Sequence, residues 1–182
     1  MFEFTDNFSI TNLFGNLCDR IDFLLPDFHE KEHLKLIGKM YRAKLPSKEG
    51  KFNSICSLQN TQKSTDSASY LINGKDILKA DSLLDSIIGK LNLMYSVRQS
   101  YSLEGLIWKS KDSNVLVKCL TIYSGSEAVN ILVQVENDEI LQKVFPDFGQ
   151  ESKIKFIELE AENDEKMKKY FDIIVKTVKL NL

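Results

Sequence analysis

Histidine, proline, cysteine and tryptophan are all scarce in this chain of 182 residues, which holds two, three, three and one of them. Both histidines fall in one charged segment, so no Ser-His-Asp or Cys-His arrangement can be singled out. Cys18, Cys56 and Cys119 stand 38 and 63 residues apart, with no Cys-x-x-Cys spacing. An odd, scattered set within apolar stretches reads as reduced core thiols in the cytosol or nucleus, not as a disulfide framework. Glycines such as Gly74, Gly89, Gly105 and Gly125 are isolated, so a glycine-rich phosphate loop is absent. No apolar run approaches the ~20 residues that cross a bilayer. The opening Met1-Phe-Glu-Phe-Thr-Asp lacks the positive flank and apolar centre of a secretory signal. An excess of one charge is missing too: 24 basic residues face 26 acidic ones, for a net charge of −2. That balance argues against a generally basic nucleic-acid binder.

What the chain does have is core-forming material. Leu, Ile, Val and Phe supply 59 of its residues, which excludes disorder as the main state. Its length suits a single domain spanning 1–182, interrupted by a polar stretch at 46–69 that reads as mobile. From Leu13 to Leu25 apolar residues recur on one helical face, and Pro26 ends the pattern. A strand is expected from about Leu36, then short strands over 52–58 and 68–72, the last closed by Asn73-Gly74. A second helix follows, with Asp81, Ser82 and Asp85 as an approximate capping box. Leu83, Leu84, Ile87, Ile88 and Leu91 are its buried stripe. Residues 95–101, 103–108, 115–123 and 129–135 read as four strands. In the third, Val115, Val117, Cys119 and Thr121 face one way and Leu116, Leu120 and Ile122 the other. A strand apolar on both faces must be covered on both. A short helix near 140–145, a strand over 153–160 and a final helix striped from Met167 to Val178 complete the order. The expected fold is α+β: an antiparallel sheet curled into a barrel-like form flanked by helices.

Charge is unevenly spread: residues 31–51 carry seven basic and two acidic side chains, and 136–165 carry ten acidic and three basic. Solvated faces are the ordinary account of such runs, and an electrostatically steered partner contact is the other. Two constellations allow chemistry. His29-Glu-Lys-Glu-His33 is a literal H-E-x-x-H, in which His29 and His33 would hold zinc on one helical face while Glu30 activates water. Its charged surroundings favour a solvated turn instead. Glu158 and Glu160 share a strand face and could bind a divalent cation, as in tunnel-shaped triphosphatases; a solvent-facing edge is the blander reading. Tyr95, Tyr101, Trp108 and Tyr123 could stack bases, but aromatics so spaced more often pack a core.

Leu83-Leu-Asp-Ser-Ile-Ile-Gly-Lys-Leu91 followed by Met94-Tyr-Ser-Val-Arg-Gln99 resembles the helix-to-strand passage of the Mediator subunit 20 family. The stretch from Ser113 to Glu136 is similar to that family's central hairpin, in which a strand turns at a Gly-containing loop and returns through Val, Leu and Ile. The last thirteen residues, from Tyr170, look like the C-terminal helix of fungal members. The resemblance implies a nuclear, non-enzymatic, cofactor-free subunit of the Mediator head module. It also implies a barrel-like fold paired with Mediator subunit 18 and tethered through subunit 8. Such a subunit would reach RNA polymerase II only indirectly, without touching nucleic acid or membrane. Val117, Cys119, Ile131 and Val133 are the candidates for the partner-facing region, with the interior as their other reading. The competing classes are a metal-dependent hydrolase and a small adaptor or trafficking-complex subunit.

Overall fold

The computed structural model describes residues 9–49, 54–61, 69–73, 76–111, 115–135, 137–144, 154–157 and 172–173. The elements are α1 (Ile10–Leu24), β1 (Phe28–Ala43), β2 (Ser54–Asn60), β3 (Ser69–Asn73), β4 (Asp76–Ala80) and α2 (Leu84–Lys90). They continue as β5 (Tyr95–Ser110), β6 (Leu116–Ser124), β7 (Glu127–Val135), α3 (Asp138–Val144) and β8 (Ile154–Ile157). Among the described residues the hydrogen-bonded strand order is β4-β3-β2-β1-β5-β6-β7-β8. The pairs β1–β2, β2–β3 and β3–β4 are antiparallel, while β7–β8 is parallel. The α+β class expected from the sequence is what forms. The barrel is not: the sheet is open, because β4 and β8 end the order and are not paired with each other. Among the described residues no helix is long and apolar enough to cross a membrane.

By internal contacts the chain divides into two compact units. One comprises 1–33, 104–123 and 127–160; the other comprises 34–103, 124–126 and 161–182.

In the first unit α1 starts at Ser9, whose Oγ accepts the Asn12 backbone N–H at 3.3 Å, and stops two residues before Pro26. Leu13, Leu17 and Ile21 recur at intervals of four and are buried. They pack with Trp108, Val117, Cys119, Ile131 and Val133. Residues two apart share a strand face, so these positions of β6 and β7 form the sheet surface that α1 covers. The opposite face is closed as well: Leu120, Ile122 and Leu132 are 0% exposed. The expectation that this ribbon is buried on both sides therefore holds, with α1 as the cover of the first. Trp108 Nε1 donates to Asp22 Oδ1 at 2.8 Å, and Lys31 Nζ pairs with Asp22 Oδ2 at 2.5 Å. Burial alone would raise the Asp22 pKa, but these bonds from Lys31 and Trp108 outweigh it and hold the carboxyl below its ordinary range.

β1 begins eight residues before the expected Leu36, and its opening residues are strongly charged. Besides Lys31–Asp22, Lys109 Nζ meets Glu32 Oε1 at 2.6 Å. Ion pairs to neighbouring elements hold a strand that no apolar alternation announces. β5 also runs straight through the break expected at residue 102. There Gly105 allows a close approach: a Cβ would run into the Cys119 carbonyl and lie 2.8 Å from Leu120 Cα. Cys56 and Cys119 are buried free thiols and Cys18 is half-buried, as expected of core cysteines. The Cys119 pKa is raised by its hydrogen bond with Cys18 and by burial.

In the second unit, Leu36, Met40, Cys56, Leu58, Tyr70, Ile72, Tyr101 and Leu103 are buried, together with Tyr41 and Ile88. β4, which the sequence reading lacked, pairs with β3 from Asn73↔Asp76 to Ser69↔Ala80. Tyr101 lies over Gly38, where any Cβ would strike its ring, and its hydroxyl donates to the Ser57 carbonyl at 2.9 Å. The ring thus covers the backbone that glycine leaves bare. Tyr101 and Trp108 are both buried, so they pack and do not stack bases.

Two substitutions test this packing. Leu17→Ala should lower unfolding free energy by about 2–5 kcal/mol through the cavity beneath α1. Gly105→Ala should cost about 1–3 kcal/mol by forcing β5 and β6 apart. Urea denaturation of each variant measures both.

Candidate docking surface

α2 follows a turn set by Asp81, whose Oδ1 accepts the Leu83 backbone N–H at 2.8 Å. The bonds Ile87 N–H to Leu83 O (2.9 Å) and Leu91 N–H to Ile87 O (3.2 Å) continue the helical turns to Leu83 and Leu91. The expected capping box is not made, since Asp85 turns elsewhere: its Oδ2 meets Lys39 Nζ on β1 at 2.8 Å. Burial would push the Asp85 pKa up. The Lys39 ammonium, with the neighbouring Ser57 and Tyr41 hydroxyls, outweighs that and holds it below the ordinary 3.8. Tyr41 moves the other way, to about 12, because it is buried and faces the Asp85 carboxylate. The ion pair, with Tyr41 of β1 and Ser57 of β2 beside it, latches α2 onto β1 and fixes the helix's rotation.

That rotation corrects the buried stripe. Ile88 is buried and Leu84 half-buried, but Leu83, Ile87 and Leu91 are 61%, 52% and 42% exposed. The two apolar rows lie side by side on the helix, and only the 84/88 row turns inward. Leu93, Met94 and Val97 continue the exposed series at 85%, 56% and 54%. Lys44 N–H donates to Met94 O at 2.8 Å, which sets the end of β1 and the exposed Leu45 beside them. Single exposed apolar residues are ordinary, but a row on one helix running into the next loop marks a surface for another molecule. No sequence signal separates the inward row from the outward one; the clue was that five apolar positions are too many for a two-turn helix on one sheet.

The residues proposed from sequence are dispersed. Val117, Cys119, Ile131 and Val133 sit at 0% exposure beneath α1, in the interior of their unit. His29, Glu30 and His33 lie on β1, not on a helix or in a turn. Four residues of strand span roughly 13 Å, not the single helical turn on which the H-E-x-x-H zinc motif depends. Glu158 and Glu160 lie outside the described residues, as do most of the final helix and much of the 46–69 stretch. Among the described residues no three His, Cys, Asp or Glu are grouped to hold a metal ion.

The latch is pH-sensitive in a definite direction. A carboxyl with a lowered folded-state pKa stabilises the fold fully above its unfolded value and loses that contribution as pH falls through the folded value. Stability should therefore drop below about pH 3.8, the ordinary value for Asp85. Asp85→Asn should be less stable at neutral pH and show a smaller acid-dependent loss, measured by urea titrations at pH 7 and pH 3.

No individually curated protein matches the chain. The family described as the TATA-binding related factor (TRF) of subunit 20 of Mediator complex matches residues 14–179. The match takes in most of α1, both units' strands and the exposed α2 face alike. It covers nearly the whole chain, and the chain belongs to the Mediator subunit 20 family, a family of structural subunits of the Mediator complex in transcription regulation.

Proposed function

We propose that this chain is a non-catalytic subunit of the Mediator head module that pairs with Mediator subunit 18 and is tethered to the rest of the head through subunit 8. It works in the nucleus as part of a hetero-oligomer and reaches RNA polymerase II through the assembled complex. The observation that carries this reading is the family match over residues 14–179. The exposed apolar surface around α2 supports it, because a protein with a closed core and a greasy outer face acts by being covered. Hydrolase readings lack such support: the H-E-x-x-H residues are strung along β1. A trafficking adaptor would have the same kind of surface but not this family's pattern.

Co-expression tests the pairing. Expressed alone, the chain should be poorly soluble; with subunit 18 it should become monodisperse and elute as one complex. Affinity purification from nuclear extract should recover other Mediator subunits. A thermally stable monomer that subunit 18 leaves unchanged would overturn the pairing.

A further inference from the structure

The surface around α2 has a chemistry of its own. Leu83, Ile87 and Leu91 follow one another at intervals of four, so they make a single ridge along the helix. Lys90 stands three residues after Ile87 and seven after Leu83, which places it on the same side of the helix. The Lys44 backbone is bonded to Met94 O, so a second exposed lysine borders the end of the ridge. Of the acidic groups in the same segment, Asp85 is paired with Lys39, and Asp81 precedes Leu83, at the other end of the ridge from Lys44. In a chain of net charge −2, the Leu91 end of this apolar ridge therefore carries a positive border.

An apolar ridge of helical pitch fits the apolar stripe of a second helix, ridge against groove. A border of cations selects the charge that flanks such a stripe. We propose that the Leu83–Ile87–Leu91 face of α2, bordered by Lys44 and Lys90, docks an amphipathic helical segment of a partner protein whose polar flanks are acidic. The proposal rests on the reading of this chain as an interaction subunit and names the kind of segment its α2 face takes.

The probe is a fluorescently labelled synthetic peptide of roughly 20 residues, with Leu at helical i, i+3, i+4 and i+7 spacing and Glu on the flanks. Its control carries Lys at every Glu position. Both are titrated by anisotropy against the full chain, co-purified with subunit 18 where solubility needs it. The acidic peptide should bind roughly tenfold or more tightly than the basic one, and added salt should narrow that gap. Ile87→Ser with Leu91→Ser should weaken the acidic peptide by roughly tenfold or more. Lys44→Glu with Lys90→Glu should remove or reverse the preference while circular dichroism stays that of the parent. Because all four side chains point outward, the two double variants are independent checks.

Equal binding of the two peptides, or parent-like binding by both variants, would overturn the proposal. So would a concentration-dependent dimer, seen by sedimentation, that Leu91→Ser dissolves, since the face would then belong to a second copy of the chain. Co-purification of subunit 18 is scored separately on the parent chain. Its absence counts against the head-module pairing whatever the peptides do, and its presence with no peptide discrimination counts against the α2 docking face alone.

Discussion

A two-stranded ribbon that is buried on both faces has to be covered twice, and the rest of this structure is arranged around meeting that demand. β6 and β7 place Val117, Cys119, Ile131 and Val133 on one side and Leu120, Ile122 and Leu132 on the other, all at 0% exposure. At about 25 cal/mol per Å² of apolar surface, leaving either side open would be a large loss for a domain only marginally stable overall. α1 answers the demand on the first side with Leu13, Leu17 and Ile21. The Asp22 carboxylate then ties the end of that helix to Trp108 and Lys31. The side of the ribbon under α1 is therefore satisfied from within.

The unsatisfied apolar surface lies elsewhere, and a polar contact put it there. Lys39 and Asp85 pair across from β1 to α2, with Tyr41 and Ser57 beside them. An ion pair of this exposure contributes modest stability. Its importance is geometric: with Asp85 held toward β1, Ile88 goes under the helix and Leu83, Ile87 and Leu91 go over it. A subunit whose function is assembly needs such a surface to be fixed before its partner arrives, since a helix free to roll would bury its own ridge.

Much of the architecture was legible from residue pattern. The α1 stripe and its stop at Pro26, the hairpin of β6 and β7, and the double burial of that hairpin all follow from periodicity. The start of β1 was not, because Lys31 and Glu32 are held by ion pairs, to Asp22 on the preceding helix and to Lys109 77 residues away, that no apolar alternation signals. β4 was missed for a related reason: a five-residue end strand exposes Asp76, Leu78 and Lys79 alike, so it shows no alternation. The zinc motif failed by period. Four residues make one turn of helix but a long step of strand.

Composition and spacing determined by themselves that this chain folds as α+β, that its thiols belong in a reduced core, and that the β6–β7 ribbon is buried on both sides. Those properties depend on local sequence, because side-chain alternation and apolar content are fixed by neighbours in the chain. Whether the sheet closes, and which of α2's two apolar rows faces out, were decided only by tertiary structure. Closure depends on whether the end strands β4 and β8 pair, and the helix's rotation on a lysine 46 residues away from Asp85, so neither is written in any local stretch of residues.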